Sequence, residues 1–129
     1  MGEFPLRVED LMTPDPVCVS APMPISQAVE KMREIGCRHF PVVEGETLLG
    51  VVSSKDVLRP GSTVGDVMTR SPLTIAPSEP VEVAAATMAS RKVGCLLVVE
   101  GGRIVGILTT YDVLDAFAHQ LRVERGSIA

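Results

Sequence analysis

The sequence predicts an α/β (α+β) fold in which two β-α-β-β-α units pack about a pseudo-two-fold axis. The main observation is an internal repeat, because residues 8–58 align without a gap on residues 64–114, with 16 identities at 51 positions. A register of this length indicates one duplicated supersecondary unit. The second observation is that each copy contains one helical apolar pattern followed by two strand-sized apolar runs. We therefore expect a functional site in a cleft between the matched halves.

The elements are expected in the same order in both copies. Each copy opens with a polar stretch that contains Met-Thr and ends at Pro16 or Pro72, and a short extended segment follows at 17–19 or 73–75. An amphipathic helix comes next, because apolar residues recur at helical spacing behind a proline. Its face consists of Ile25, Ala28, Val29, Met32 and Ile35 in the first copy, and of Val81, Ala84, Ala85 and Met88 in the second.

Two buried strands joined by a glycine-containing hairpin turn are expected after the helix. They cover residues 40–43 and 48–52 in the first copy, and 96–99 and 104–108 in the second. A second helix is expected from about Ser53 or Thr109. Pro60 should end the first of these helices, which gives units at 8–58 and 64–122 with a linker at 59–63.

The last helix of the second copy carries an apolar stripe, made of Val113, Leu114, Phe117, Ala118 and Leu121. Two uses of this stripe remain open. It closes the core of the chain, or it packs against the same helix of a second copy in a homodimer.

Composition excludes several classes of function. The chain has 129 residues, 46% hydrophobic and 22% charged, which suits one globular domain. Its apolar runs are too short for a membrane span, and the N-terminal residues resemble neither a signal peptide nor a myristoylation motif. Three cysteines without C-x-x-C spacing indicate reduced thiols, a cytoplasmic location and no metal site.

Charge and residue pairing exclude two further classes. The net charge is −4 and the 12 basic residues are scattered, so we expect no nucleic-acid partner, which would require a basic stripe. No nucleophile is paired with a base and no carboxylate dyad is evident, so we expect neither enzymatic activity nor a required cofactor.

The end of each return strand carries the chemistry that most suggests a site. Ser53 and Thr109 are each followed three residues later by a carboxylate, Asp56 or Asp112. This spacing is a capping-box variant, in which the hydroxyl and the carboxylate each accept a backbone N–H. The same geometry suits a nucleotide, because a helix N-terminus favours phosphate and a carboxylate accepts ribose hydroxyls. The two interpretations are compatible.

These residues resemble the cystathionine-β-synthase (CBS) domain family. The resemblance rests on the Asp-hydrophobic-Met-Thr opening, the strand bounded by proline, the Pro41-Val42-Val43 strand and the Gly-x-x-(Ser/Thr)-x-x-Asp close. Two copies in register resemble a CBS pair, or Bateman module, over residues 8–118. The resemblance implies two units packed sheet to sheet, clefts that often bind adenosine-containing ligands, and frequent dimerisation into a flat disc.

The resemblance also implies which residues contact a ligand. Asp56 and Asp112 match the ribose-binding carboxylates, and Ser53 and Thr109 match the hydroxyls beside them. The segments 17–19 and 73–75 match those beside the adenine, and they contain the candidates Cys18, Val19, Thr74 and Ile75. The other candidates are Arg38, His39, Phe40 and Pro41 near the phosphates; Cys95, Leu96 and Leu97 at the matching positions of the second copy; and Lys55 and Thr110 at the strand ends.

The two copies differ where a phosphate would be bound. Arg38-His39 is replaced by Gly94-Cys95 in the second copy, and Lys55 is replaced by Tyr111. Since an arginine fork is the better phosphate partner, we predict asymmetric occupancy, with the phosphate bound mainly by the first copy. Whether Arg38 serves a ligand whose ribose lies on Asp112 stays open. His39 has no catalytic role in this interpretation.

The resemblance thus implies a stand-alone regulatory protein. It would bind AMP, ADP, ATP or S-adenosylmethionine between the repeats and signal occupancy to a partner protein, as a homodimer. The alternative is a ligand-independent module that uses the same fold only for dimerisation and interaction.

Overall fold

A computed structural model describes residues 6–128 of the chain, with side chains to residue 125. The sequence-based expectations about a signal peptide and myristoylation fall chiefly on residues 1–5, which lie outside the described residues. Helices and strands follow one another in this order: α1 Val8–Leu11, β1 Thr13–Pro14, α2 Ile25–Ile35, β2 His39–Glu44, β3 Thr47–Ser53, a 3₁₀ helix Asp56–Leu58, α3 Val64–Val67, β4 Thr69–Arg70, β5 Thr74–Ile75, α4 Val81–Arg91, β6 Cys95–Glu100, β7 Arg103–Thr109 and α5 Thr110–Ile128.

The strands form two sheets, one built mainly from each copy. The first has the order β2-β3-β4, and the second has the order β1-β7-β6-β5. The segment before the first helix adds a parallel contact at the outer edge in both cases: Val19 bridges to Val42, and β5 pairs with β6. The matching arrangement of the two sheets confirms the predicted fold class of two related mixed units.

The opening segment of each copy pairs with the sheet of the other copy. Strand β1 runs antiparallel to β7 with Thr13 opposite Ile107, and β4 runs antiparallel to β3 with Thr69 opposite Val51. The short helices follow the same exchange, since the Val8 N–H donates to the carbonyl oxygen of Glu79 and the Val64 N–H donates to that of Met23. The two copies therefore exchange their opening segments.

Gly50 and Gly106 make this exchange sterically feasible. A Cβ atom at Gly50 would collide with the carbonyl oxygen of Thr69, and one at Gly106 would collide with the Met12 side chain. A side chain at Gly50 would push β4 away, and one at Gly106 would displace the Met12 side chain.

The sheets face each other, and the helices cover their outer faces. Ala28 and Met32 of α2 pack in one apolar cluster with Phe40 and Val42, and Val64 of the second copy completes it. The matching cluster of the second copy contains Val8 of the first. Between the sheets a smaller group joins Cys95, Leu97 and Ile107 to Leu48 and Val51.

The prediction of a second helix in the first copy is wrong. Only the 3₁₀ turn Asp56–Leu58 forms, and Arg59 is extended with φ −77° and ψ 156°. The residue before a proline is sterically biased away from the helical region, and Pro60 follows directly. Ala116 stands at the matching place in the second copy, where α5 continues to Ile128.

The apolar stripe of α5 lies largely outside the core of the chain. Val113 packs against the second-copy cluster and Ala118 is half-buried, but Leu114 is 61%, Phe117 59% and Leu121 40% exposed. The core-closing role is therefore wrong for these three side chains. Ile35 was also expected on a buried helix face, yet it is half-exposed because it lies at the end of α2.

Candidate functional site

The Ser53–Asp56 pair closes the turn after β3 as a reciprocal cap. The Ser53 N–H donates to Oδ2 of Asp56 at 2.9 Å, and the Asp56 N–H donates to the Ser53 hydroxyl oxygen at 3.1 Å. Asp56 is only 6% exposed, and its Oδ1 lies 3.5 Å from Nη2 of Arg59. The predicted cap is thus confirmed, and a buried carboxylate is fixed at the end of the strand.

The Thr109–Asp112 pair repeats this cap at the start of α5, with one difference. Oδ2 of Asp112 accepts both the Thr109 N–H at 2.8 Å and the Thr109 hydroxyl at 3.1 Å. The Asp112 N–H points back to the Thr109 hydroxyl oxygen at 3.4 Å. Arg59 has no basic counterpart here, because Asp115 stands at its position. Asp112 therefore lacks the arginine that lies beside Asp56.

A cleft of about 320 Å³ lies between the two copies at Asp56. This volume is at the lower end of the range found for small-molecule sites. We call it the Asp56 cleft, and its lining consists of His39, Val51, Ser53, Asp56, Thr69, Ser71, Pro72, Leu73, Arg91, Val93, Gly94, Cys95 and Leu97. The lining combines apolar side chains from both sheets with one carboxylate, one histidine and one arginine.

Two titratable side chains in this cleft are shifted toward their neutral forms. Burial lowers the pKa of His39 below its ordinary value, and Arg38 acts in the same direction while Asp56 opposes it. Burial, with a smaller contribution from Asp56, raises the pKa of the Cys95 thiol to about 11. At neutral pH the cleft therefore presents an imidazole and a thiol without charge, beside Asp56 and Arg91.

Arg38 lies at the second copy's cap and not in the lining of the Asp56 cleft. Its Nη1 donates to the Tyr111 hydroxyl at 3.0 Å, and its guanidinium carbon is 5.2 Å from the centre of the Tyr111 ring. Tyr111 directly precedes Asp112. The structure therefore assigns Arg38 to the group of Thr109, Tyr111 and Asp112, which we call the Asp112 site. Arg38, the predicted phosphate-binding residue of the first copy, would thus serve the same site as Asp112, the predicted ribose-binding carboxylate of the second.

The structure brings five of the predicted ligand-binding residues together in the Asp56 cleft: His39, Ser53, Asp56, Cys95 and Leu97. Arg38, Thr109 and Asp112 belong to the other site, and Thr110 is half-buried at the first residue of α5. Lys55 and Thr74 are exposed, and Cys18 is half-buried with its thiol 3.5 Å from the carbonyl oxygen of Pro16.

The remaining predicted positions do not line the Asp56 cleft. Val19, Phe40 and Leu96 are buried in the two apolar clusters, Pro41 is fully buried, and Ile75 packs at the edge of its cluster. Their part in binding stays a prediction.

Leu73 also lines the cleft, and it belongs to the segment 73–75 that the resemblance places beside the adenine. Sequence reasoning missed seven other residues of the lining: Val51, Thr69, Ser71, Pro72, Arg91, Val93 and Gly94. Thr69 and Ser71 lie there because the opening segment of the second copy crosses to the first sheet. Arg91, the last residue of α4, is the arginine of the cleft lining and could pair with a phosphate. Its counterpart Ile35 is apolar, and this break in the repeat was a signal that could have found it.

Comparison with known proteins identifies the family to which this fold belongs. The CBS domain profile matches residues 8–60 and again residues 64–119. The chain belongs to the CBS domain family and carries two CBS domains in tandem.

Two solved CBS structures are similar to this chain over most of their length. One is CBSX2 of Arabidopsis thaliana, solved in complex with AMP, which is 34% identical, with a TM-score of 0.79 over 90% of this chain and 98% of that one. The other is the CBS domain pair of the protein MJ0100, solved with 5′-methylthioadenosine and S-adenosyl-L-methionine. It is 26% identical, with a TM-score of 0.85 over 89% of this chain and 98% of that one.

Curated relatives include enzymes of different activity. Inosine-5′-monophosphate dehydrogenase of Korarchaeum cryptofilum is 35% identical over 123 residues, which cover 92% of this chain and 26% of that enzyme. Homoserine O-acetyltransferase of Methanocorpusculum labreanum is 35% identical over 120 residues, which cover 85% of this chain and 24% of that enzyme. The chain spans about a quarter of the length of these relatives, so the similarity transfers neither activity.

Neither a metal site nor a membrane-spanning helix is found in the part of the chain that the structure describes. The residues that the structure describes hold no group of three His, Cys, Asp or Glu side chains able to ligate a metal. Among the described helices, α5 included, none is long and apolar enough to cross a membrane.

Proposed function

We propose that this chain is a regulatory CBS pair that binds an adenosine-containing ligand between its two copies and signals occupancy to a partner protein. The observation that carries the proposal is Asp56, a buried carboxylate fixed by its cap in the lining of a cleft between the copies. A carboxylate so placed can accept both hydroxyls of a ribose, and the apolar lining suits a flat base. AMP and S-adenosylmethionine are the first candidates because the two similar structures hold them.

Signalling requires that the ligand bind two states of the protein with different affinity. The cleft meets this requirement in principle, since its lining comes from both copies and includes the exchanged segment at Thr69 and Ser71. A ligand there would contact both sheets at once. It would favour the packing of the two copies that best fits it.

The exposed stripe on α5 supports the other part of the proposal, a homodimer. Leu114, Phe117 and Leu121 recur at helical spacing, and each is at least 40% exposed. Three large apolar side chains along one helix face favour burial against a second copy of the same face. A ligand-independent dimerisation module would rest on this stripe alone and would leave the clefts empty.

Titration calorimetry with AMP, ATP and S-adenosylmethionine tests the proposal, with GMP as the control for the base. We expect at least one adenosine ligand to bind and GMP to bind much more weakly. Asp56→Asn and Asp112→Asn remove the charge with little change of shape, so each should weaken binding at its own site. A thermal shift gives a second readout, because a ligand at 100 times its Kd adds about 2.7 kcal/mol to the free energy of unfolding.

The outcomes separate the two candidate functions. Absence of heat and of thermal shift with every adenosine ligand at millimolar concentration would exclude the sensor and leave the interaction module. Binding that neither carboxylate substitution weakens would show that Asp56 and Asp112 only cap their turns.

A further inference from the structure

The contact between Arg38 and Tyr111 joins residues 73 positions apart, one from each copy. The guanidinium donates one hydrogen bond to the phenol oxygen at 3.0 Å and lies over the ring at 5.2 Å. An exposed arginine normally samples many rotamers, and binding an anion must restrict them. Tyr111 restricts them before any ligand arrives.

Tyr111 restrains Arg38 without neutralising it. The phenol is an uncharged acceptor, so Arg38 keeps its positive charge and four of its five N–H donors. Ion pairs within the described part of the chain engage Arg7, Arg33, Arg59 and Arg103, but not Arg38. A carboxylate partner would instead have to be displaced by an incoming anion.

No such pair can form at the other site. Lys55 stands in place of Tyr111 and Gly94 in place of Arg38. The arginine next to the Asp56 carboxylate is Arg59, 3.5 Å from Oδ1, where it offsets the charge of the carboxylate itself. The two sites therefore differ in charge arrangement, although their caps are nearly the same.

We propose that Tyr111 is a positioning residue that holds Arg38 ready for the phosphate of a nucleotide at the Asp112 site, and so makes that site prefer phosphorylated over unphosphorylated adenosine ligands. The proposal rests on the proposed function, since it specifies the ligand class of one of its sites. Tyr111 acts through Arg38 and need not touch the ligand.

The test compares AMP with adenosine, which differ only in the phosphate. Calorimetry on Tyr111→Phe should show AMP binding at the Asp112 site about 3- to 10-fold weaker, the range expected for one lost hydrogen bond, with adenosine binding unchanged. Tyr111→Leu, which also removes the ring under the cation, should weaken AMP further. Adding Tyr111→Phe to Arg38→Ala should cause no additional loss, because the two residues act as one unit. Arg122→Ala, which removes an exposed cation farther along α5, is the control and should leave the ratio of AMP to adenosine affinity at the Asp112 site unchanged.

Tyr111 also provides a site-specific signal, because the chain has one tyrosine and no tryptophan. AMP should change the intrinsic tyrosine fluorescence of the wild-type protein more than adenosine does, and adenosine corrects for absorption by the base. The difference should disappear in Arg38→Ala.

Four outcomes would overturn the inference. Equal weakening of AMP and adenosine by Tyr111→Phe would show a merely structural role, and tighter AMP binding would show that Tyr111 competes with the phosphate. Wild-type protein that binds neither AMP nor adenosine would overturn the proposed function and this inference together. If wild-type protein binds AMP and Tyr111→Phe leaves the ratio of AMP to adenosine affinity unchanged, this inference alone would be overturned.

Discussion

His39 and Cys95 occupy equivalent positions in the two copies, and both line the same cleft. Each lies at the start of a strand, with His39 opposite Ser53 in one sheet and Cys95 opposite Thr109 in the other. Residues related by the repeat thus lie in one cleft, to which each copy contributes one of them.

His39 should make the stability of the protein depend on pH in the weakly acidic range. Its pKa is lowered in the folded state by burial, so the unfolded chain takes up a proton first as the pH falls. The contribution of His39 to the free energy of unfolding is fully present above its unfolded pKa of about 6.5. It decreases as the pH falls from there through the lower pKa of His39 in the folded state. Denaturant unfolding between pH 7.5 and 5 should show wild type losing stability relative to His39→Gln. The same change of stability with pH in the two proteins would contradict this prediction. Both proteins contain His119, so its titration does not contribute to the difference between them.

Cys95 should be the least reactive thiol of the three. Burial raises its pKa to about 11, and the residue is 9% exposed, whereas Cys18 and Cys37 are half-buried with pKa values that burial also raises. Thiolate is the reactive form, so alkylation by iodoacetamide at pH 8 should modify Cys18 and Cys37 before Cys95. Peptide mass spectrometry over time gives the order. Labelling of Cys95 first would show that the cleft opens in solution.

Gly50→Ala should destabilise the protein by about 1–3 kcal/mol, because the added methyl group meets the Thr69 carbonyl of an exchanged strand. Gly94→Ala is the matched control. Its Cβ would lie 3.6 Å from the His39 ring, an ordinary contact, so stability should hardly change while the Asp56 cleft becomes smaller. Chemical denaturation measures both. Equal stability of the two variants would mean that β3 and β4 separate easily.

The α5 stripe should determine the oligomeric state. Leu114→Ser and Phe117→Ser remove exposed apolar side chains that contribute little to the core, so each variant should fold but shift from dimer to monomer. Asp115→Ser, on the exposed polar side of the same helix, is the control and should stay dimeric. Sedimentation velocity distinguishes the species. A wild-type protein that is monomeric at all concentrations would contradict the proposed homodimer.

Local sequence patterns predicted most helices and strands of the fold, but they did not predict which segments pair between the two copies. The helix face at Ala28 and Met32 and the Ser53–Asp56 cap depend on neighbours within a few residues, and both were evident in the sequence. The pairing of Thr13 with Ile107 depends on which sheet a two-residue strand joins, and such a strand carries too little pattern to decide. The sequence did not reveal the partner of Arg38 for the same reason. Its contact with Tyr111 follows from how the copies pack, which spacing along the chain does not encode.

The exchange of β1 and β4 has a consequence for the independence of the two halves. Each half lends a helix and a strand to the other, so neither CBS unit has a complete core by itself. A single break in the exposed linker around Arg59 would leave two fragments still interlocked through these segments. Folding and unfolding should therefore involve both halves at once. If the proposed ligand occupies the Asp56 cleft, its effect should extend to both halves, because each half packs against a segment of the other.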